Sequence, residues 1–298
     1  MSTSPGAAGP TGRDARDARG ASHEPIVQVF EPNSLALPSL RTYASELLSR
    51  RPFIVELAGA EVRGQRSSTF LGELWTLVDP LFQAAIYMFL FLVIRGTKGQ
   101  TSSYVTTIIA SVFAFNYTRI AITDGGRSIL RNKGLVVNAV FPRALLPIAE
   151  VYKGFLSTVP AMLVYVVIHL AARAPITQAI LVLPLLLVIQ TALNFGLALL
   201  FSTATVFFRD ISNLLNYVVR MLMFATPVVY PVSTLSPAIR GVLSWNPLFA
   251  LFSAFQSVIT GQMPATGLII QSALWAVLFL VTGMWVFLRH ERSFALHI

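Results

Sequence analysis

The 298 residues are 55% hydrophobic and only 12% charged, with a formal net charge of +9 and a mean hydropathy of +0.68. Soluble domains carry about 25% charged residues, so this deficit, with long uncharged runs, excludes an ordinary soluble domain and indicates a membrane protein. The absence of Cys excludes disulfides and thiolate metal sites, and the four His residues show no metal-ligand spacing.

Met1 to Ser22 is rich in Gly, Ala, Pro, Ser, Arg and Asp and has no apolar core. No signal peptide is expected there, and residues 1–38 are expected to form a disordered cytosolic tail. Residues 39–70 mix Arg and Glu with apolar side chains and include Arg50, Arg51, Arg63 and Arg66. That mixture fits an amphipathic helix lying on membrane lipids, basic on its polar face; an ordinary cytosolic helix is the alternative.

Six apolar runs follow, each long enough to cross ~30 Å of hydrocarbon as a helix. They are Leu74 to Ile94, Tyr104 to Ile122, Ala144 to Ala172, Ile176 to Phe208, Ile211 to Tyr230, and Gly267 to Leu288. The fourth would make about 50 Å of helix at ~1.5 Å per residue, so it must tilt, kink at Pro184 or project beyond the bilayer. Ile239 to Gly261 is also apolar, but Asn246-Pro247 interrupts it, because proline removes a donor and clashes with the preceding turn. Two short helices dipping into the membrane and returning, a re-entrant segment over 233–262, are expected in place of a seventh span.

With the N-terminus in the cytosol, only Arg95, Lys98, Arg173 and Arg240 of the 22 Lys and Arg fall on the outer side. That bias fits an even span count with both termini inside. The predicted fold is all-α and integral to the membrane. Six transmembrane helices occupy 71–290, and 291–298 is a cytosolic C-terminal tail.

No GxxxxGKS/T phosphate loop is present, and the acidic residues are too dispersed for paired acid/base work. No catalytic site, metal or cofactor is expected in this chain, so active transport must draw energy from another chain or an ion gradient. Polar residues inside apolar runs are costly and often functional. Asp79 fits the inner interface. Glu150 and Lys153, three apart on one helix face, fit a structural ion pair or a gating pair. Arg220 either snorkels to the inner interface or faces a polar pathway. Tyr87, Phe91, Tyr217, Phe224 and Tyr230 are candidates to line a conduit and stack on sugar rings, against the alternative of lipid-facing or interfacial packing.

Four ordered stretches resemble the permeases that export O-antigen, capsule and teichoic acid, the polysaccharide-export branch of type-2 ABC transporters. RGQRSSTFLGELWTLVDPLFQAAIYMFLF (Arg63 to Phe91) is similar to that family's basic helix running into its first span, through Arg63, Gly64, Ser67, Leu71, Gly72, Leu74, Trp75 and Pro80. VFPRALLPIAEV (Val140 to Val151) resembles the start of its third span. ATVFFRDISNLL (Ala204 to Leu215), containing Arg209 and Asp210, resembles its loop between spans four and five. FATPVVYP (Phe224 to Pro231) followed by WNPLFAL (Trp245 to Leu251) resembles its outer segment, where Ser is commoner than Thr226.

The resemblance implies a homodimer enclosing a conduit in the cytoplasmic (inner) membrane, paired with two nucleotide-binding ABC ATPase subunits that hold the ATP and Mg. It implies a polysaccharide cargo, with a polyprenyl-phosphate lipid as the expected carrier, and no role for nucleic acid. It also implies coupling through the interfacial helix and the first cytosolic loop, Thr123 to Phe141, with Arg127, Leu130, Arg131, Asn132 and Leu135 as the contact face. Two other functions compete: an ABC permease for drugs or lipids, and a membrane-embedded sugar transferase. The transferase would need the acidic cluster that is missing.

Overall fold

The computed structural model describes residues 74–95, 101–139, 141–172 and 176–298, with scattered positions between 45 and 59; all lie in one unit, Leu37–Ile298. Every regular element among the described residues is helical. Four helices among those residues are long and apolar enough to cross a membrane: Val105–Arg131, Leu145–Ala171, Gln178–Phe207 and Thr266–His297. The tail expected over 1–38 lies outside the described residues, as do Arg51, Arg63 and Arg66 of the expected interfacial helix.

Helix α1 (Trp75–Arg95) has 21 residues, about 32 Å of helix. Helix α2 (Thr101–Ile120) does not end where the apolar run ends. It passes through one π-helical turn, Ala121–Gly125, into α3 (Gly126–Arg131). The loop expected over Thr123 to Phe141 is therefore helical to Arg131. It is helical again in α4 (Lys133–Asn138) after a break at Asn132, φ −102° and ψ 30°. Gly125-Gly126 allows this course. A Cβ on Gly125 would lie 2.8 Å from that of Ala198, and one on Gly126 2.8 Å from Leu215 Cδ1. Only glycine lets this segment lie so close to its neighbours.

Helix α5 (Leu145–Ala171) matches its apolar run to within a residue at each end. The fourth run divides. A 3₁₀ turn at Gln178–Val182, capped by the Thr177 hydroxyl, precedes α6 (Leu183–Phe207). Pro184 sits in the first turn of α6, where its missing N–H costs nothing. It starts a helix of about 38 Å and does not kink one of 50 Å. Helix α7 (Arg209–Ala225) has 17 residues and stops short of the expected Tyr230. Pro227 drives the preceding Thr226 out of the helical region, to φ −109° and ψ 145°.

The segment expected to be re-entrant holds two short helices, α8 (Pro237–Leu243) and α9 (Pro247–Ile259). Asn246 breaks and anchors the pair. Its Oδ1 accepts from Leu248 N at 3.0 Å, while its Nδ2 donates to Ala225 O at 3.0 Å and Thr226 Oγ1 at 2.9 Å. From α9, Gln256 Nε2 donates to the carbonyls of Pro227 (2.7 Å) and Tyr230 (2.9 Å), and its Oε1 accepts from Val232 N at 2.9 Å. Two side chains thus satisfy the irregular backbone between α7 and α8, as a lipid-immersed protein requires.

Helix α10 (Thr266–His290) packs against α6 with no side chains between the backbones at one point. A Cβ on Gly196 would lie 2.3 Å from the Phe279 carbonyl, and one on Gly283 2.4 Å from Gly196 O. Small residues at a crossing are how membrane helices gain contact area. The residues expected as a C-terminal tail fold back. After a 3₁₀ turn at Glu291–Ser293, α11 (Phe294–His297) buries Phe294 against Phe287, ring centroids 5.2 Å apart, and Phe207, 6.3 Å apart. Glu291 accepts from the Arg143 backbone N–H, and the Arg143 guanidinium donates to the Glu291 carbonyl. The apolar ending and this anchor explain why 291–298 is not a free tail.

Candidate functional site

Two regions of the bundle concentrate polar chemistry. The first is a junction at α3. Its Arg127 donates from Nη2 (2.6 Å) and Nε (3.2 Å) to the carbonyl of Ser212 in the first turn of α7. Its Arg131 pairs with Glu150 on α5. Glu150 also pairs with Lys153 one turn on, and Lys153 Nζ lies 3.5 Å from Asp124 Oδ2 in the π turn. The Glu150 and Lys153 side chains are only 3% and 5% exposed. Burying charge this deeply is tolerable because every member faces the opposite sign. Glu150 and Lys153, paired in sequence terms alone, are the middle of a four-charge chain.

This geometry divides the five residues expected as one contact face. Arg127 turns into the bundle, Arg131 reaches Glu150 from a position that is itself exposed, and Asn132 Nδ2 caps the Ser128 carbonyl at 2.9 Å. Leu130 packs beside the buried cluster of Ile129, Val136 and Phe287. Leu135 is exposed on α4 and engages no charged partner, and Lys133 and Val137 are exposed with it. The described part of the 39–70 segment approaches the same end of the bundle. Leu47 and Leu57 pack on that cluster, and the Phe53 ring lies 6.0 Å from that of Phe141; Arg50 is exposed. Arg209 and Asp210, at the start of α7, are also exposed, and Asp210 complements the positive end of the helix.

The second region is a pair of adjoining chambers. One, of about 400 Å³, lies between α1, α2 and α5 and is lined by Trp75, Asp79, Gln83, Arg119, Asp124 and Lys153 among others. The other, of about 420 Å³, lies between α1, α2 and α7, with Asn216, Val219, Arg220 and Met223 on its α7 wall. Gln83, Asn116 and Arg119 line both. They form the partition: Asn116 Nδ2 donates to Gln83 Oε1 at 2.7 Å, and Arg119 Nε to Asn116 Oδ1 at 3.3 Å. Asp79 borders the first and Arg220 the second, and both side chains are exposed. Among the described residues no carboxylate lines the second chamber.

Of the aromatic residues, Tyr217 and Phe224 share the outward face of α7 with Met221, and the Arg220 guanidinium lies 6.0 Å from the Tyr217 ring. Tyr230 stands apart, its hydroxyl donating to Phe224 O at 2.9 Å. Tyr87 and Phe91 belong to α1, but their side chains lie outside those described. Sequence reasoning missed Gln83, Asn116, Arg119 and Gln256, and read Asn246 only as part of a break. The available signal was the same for all: a large polar side chain within an apolar run. Among the described residues no three His, Asp or Glu side chains converge to hold a metal.

Residues 54–260 match the family described as ABC-2 type transporter. Over 245 residues, 81% of this chain and 93% of the relative, the chain is 23% identical to an O-antigen export system permease protein RfbA of Klebsiella pneumoniae. A second Klebsiella pneumoniae protein of that name is 23% identical over 208 residues, 69% of this chain and 79% of the relative. The protein of that name from Myxococcus xanthus is 23% identical over 253 residues, 84% and 96% of the two chains.

Proposed function

The chain belongs to the ABC-2 type transporter family, and from that premise we propose that it is the membrane subunit of an ATP-driven exporter. Its cargo is a cell-surface polysaccharide, carried on a polyprenyl-phosphate lipid from the cytosol to the outside. As a permease it is a transport subunit and not an enzyme. The observation that carries the cargo is similarity to three O-antigen export permeases along 79% to 96% of their lengths.

Two copies work with two ABC ATPase subunits, which hold ATP and Mg. In the cytoplasmic membrane α1, α2–α3, α5, α6, α7 and α10 cross, α8–α9 dips in from the outer side, and both termini are cytosolic. The ATPase docks on Leu135 and its exposed neighbours on α4, with Arg50 and the 39–70 segment beside it. ATP-driven closure of the partner reaches α7 through α3, and the sugar chain advances past Tyr217 and Phe224. Support for this path is geometric: α3 touches α5, α6 and α7 at once.

Deleting the protein and locating the glycan tests the cargo. Glycan accumulating in the cytosol and missing from the surface is expected. Normal surface delivery would refute the proposal, and drug efflux lost with an unchanged envelope would favour the drug-permease alternative.

A further inference from the structure

We propose that Glu150 is a positioning residue that fastens α3 to α5, so that the two turn as one body and pass motion to α7 through Arg127. The inference rests on the exporter function above and adds to it how force crosses this subunit.

Glu150 is gripped at both carboxylate oxygens, by Arg131 at Oε1 and by Lys153 at Oε2. Lys153 in turn reaches Asp124. Asp124 and Arg131 stand at the two ends of the segment formed by the end of the π turn and α3, while Glu150 and Lys153 are one turn apart on a single face of α5. The segment is therefore held at two points, which stops both sliding along α5 and rotation about its own axis. The chain of four charges is neutral overall; its middle members Glu150 and Lys153 are buried, while Arg131 and Asp124 at its ends reach solvent.

The opposite side of the segment is the output. Arg127 lies between the two fastened ends and grips the Ser212 carbonyl of α7. Thr205 of α6 donates to the Gly126 carbonyl, and Gly125 and Gly126 bring the backbone against Ala198 and Leu215. A push on α4 then arrives at α5 and α7 together. Stability alone does not account for such a device. Buried ionic groups are a poor source of stability and apolar side chains of similar volume often replace them without loss. What the charges add is a fixed relative position of two helices.

Two measurements test this on the full complex with its ATPase in lipid nanodiscs. Spin labels on Lys133→Cys, two residues beyond the end of α3, and Leu156→Cys on α5, both exposed sites in a chain without other cysteines, report the distance from the end of α3 to α5 without needing any cargo. A single narrow distance, unchanged when the ATPase is trapped with nucleotide, is expected. A distance that shifts with nucleotide overturns the inference. The second measurement is glycan exported per ATP hydrolysed in the triple variant Arg131→Met, Glu150→Leu, Lys153→Leu. A drop of at least tenfold is expected, with Arg131→Lys staying within about twofold of the parent. Parental export per ATP in the triple variant overturns the inference. Should the triple variant fail to fold, the spin-label distance in the parent still decides. A parent that moves no glycan at all refutes the exporter function and leaves that distance to judge the fastening.

Discussion

Replacing Gly196 with Ala adds a single methyl group where α6 and α10 touch. That methyl would stand 2.3 Å from both the carbonyl carbon and the oxygen of Phe279, and 2.5 Å from Leu280 N. All three are main-chain atoms of a helix, so no side chain can swing aside. Ordinary contact lies near ~3.5 Å, so the helices must separate by roughly 1 Å. A gap of that size forfeits a quarter to a half of each dispersion contact along the crossing, and overpacking of this kind costs typically 1–3 kcal/mol. Against this, Ala in place of Gly gains about 1 kcal/mol of helix propensity. With the clash at the severe end, a net loss of about 2 kcal/mol is expected. Gly283→Ala meets Gly196 O at 2.4 Å and should cost a similar amount. The double variant should cost clearly less than twice as much, because one separation relieves both clashes. Gly267→Ala in α10 meets nothing within 4 Å and serves as control. The assay is unfolding of the purified protein in mixed micelles against increasing denaturing detergent. Gly196→Ala as stable as Gly267→Ala, or strictly additive losses in the double variant, would refute the close crossing.

Asn246→Ala removes a helix cap, worth about 1 kcal/mol, and two further hydrogen bonds worth roughly 0.5–1.5 kcal/mol each. The same unfolding assay should show a loss of about 2–4 kcal/mol, with Thr226→Val losing less. Leu135→Asp with Val137→Asp should weaken pull-down of the ATPase subunit at least tenfold and leave the unfolding midpoint unchanged, because both side chains are exposed on α4. Arg220→Gln should alter the export rate more than stability, since Arg220 is exposed and borders a chamber that no carboxylate lines among the described residues; export assays in vesicles alongside unfolding curves separate the two. A tag on Ile298 should resist labelling from outside intact cells, and labelling there would overturn the even number of crossings.

Hydrophobic runs located the helices whose exteriors are apolar and whose ends are unambiguous. Leu145–Ala171 and Thr266–His290 fall within two residues of the runs that announced them, because solvation by lipid acts on each residue separately. The continuation of α2 through Asp124, Arg127 and Arg131 was not legible that way. Three charges and a Gly-Gly pair in eight residues read as a loop when each is weighed by its own cost of burial. Their partners, Glu150, Lys153 and Ser212, lie 19 to 85 residues away, and nothing in a local window shows that they will be met. The early end of α7 was legible at Pro227, but the apolar composition beyond it outweighed the proline.

The same distinction explains the candidate site. Arg127 and Arg131 stood out because they are basic and expected on the cytosolic side, which suits a surface that meets another protein. Once both are committed to partners inside the chain, replacing them with Glu becomes a poor test of docking. Arg131→Glu would set a second carboxylate against Glu150, whose side chain is 3% exposed, and a loss of export would report a disrupted junction whatever the ATPase did. The exposed side chains that can meet a partner without disturbing the bundle are Lys133, Leu135 and Val137. A docking surface must present groups the fold does not already use, and in this chain that condition moves the contact from the charged residues of α3 to the short helix beyond them.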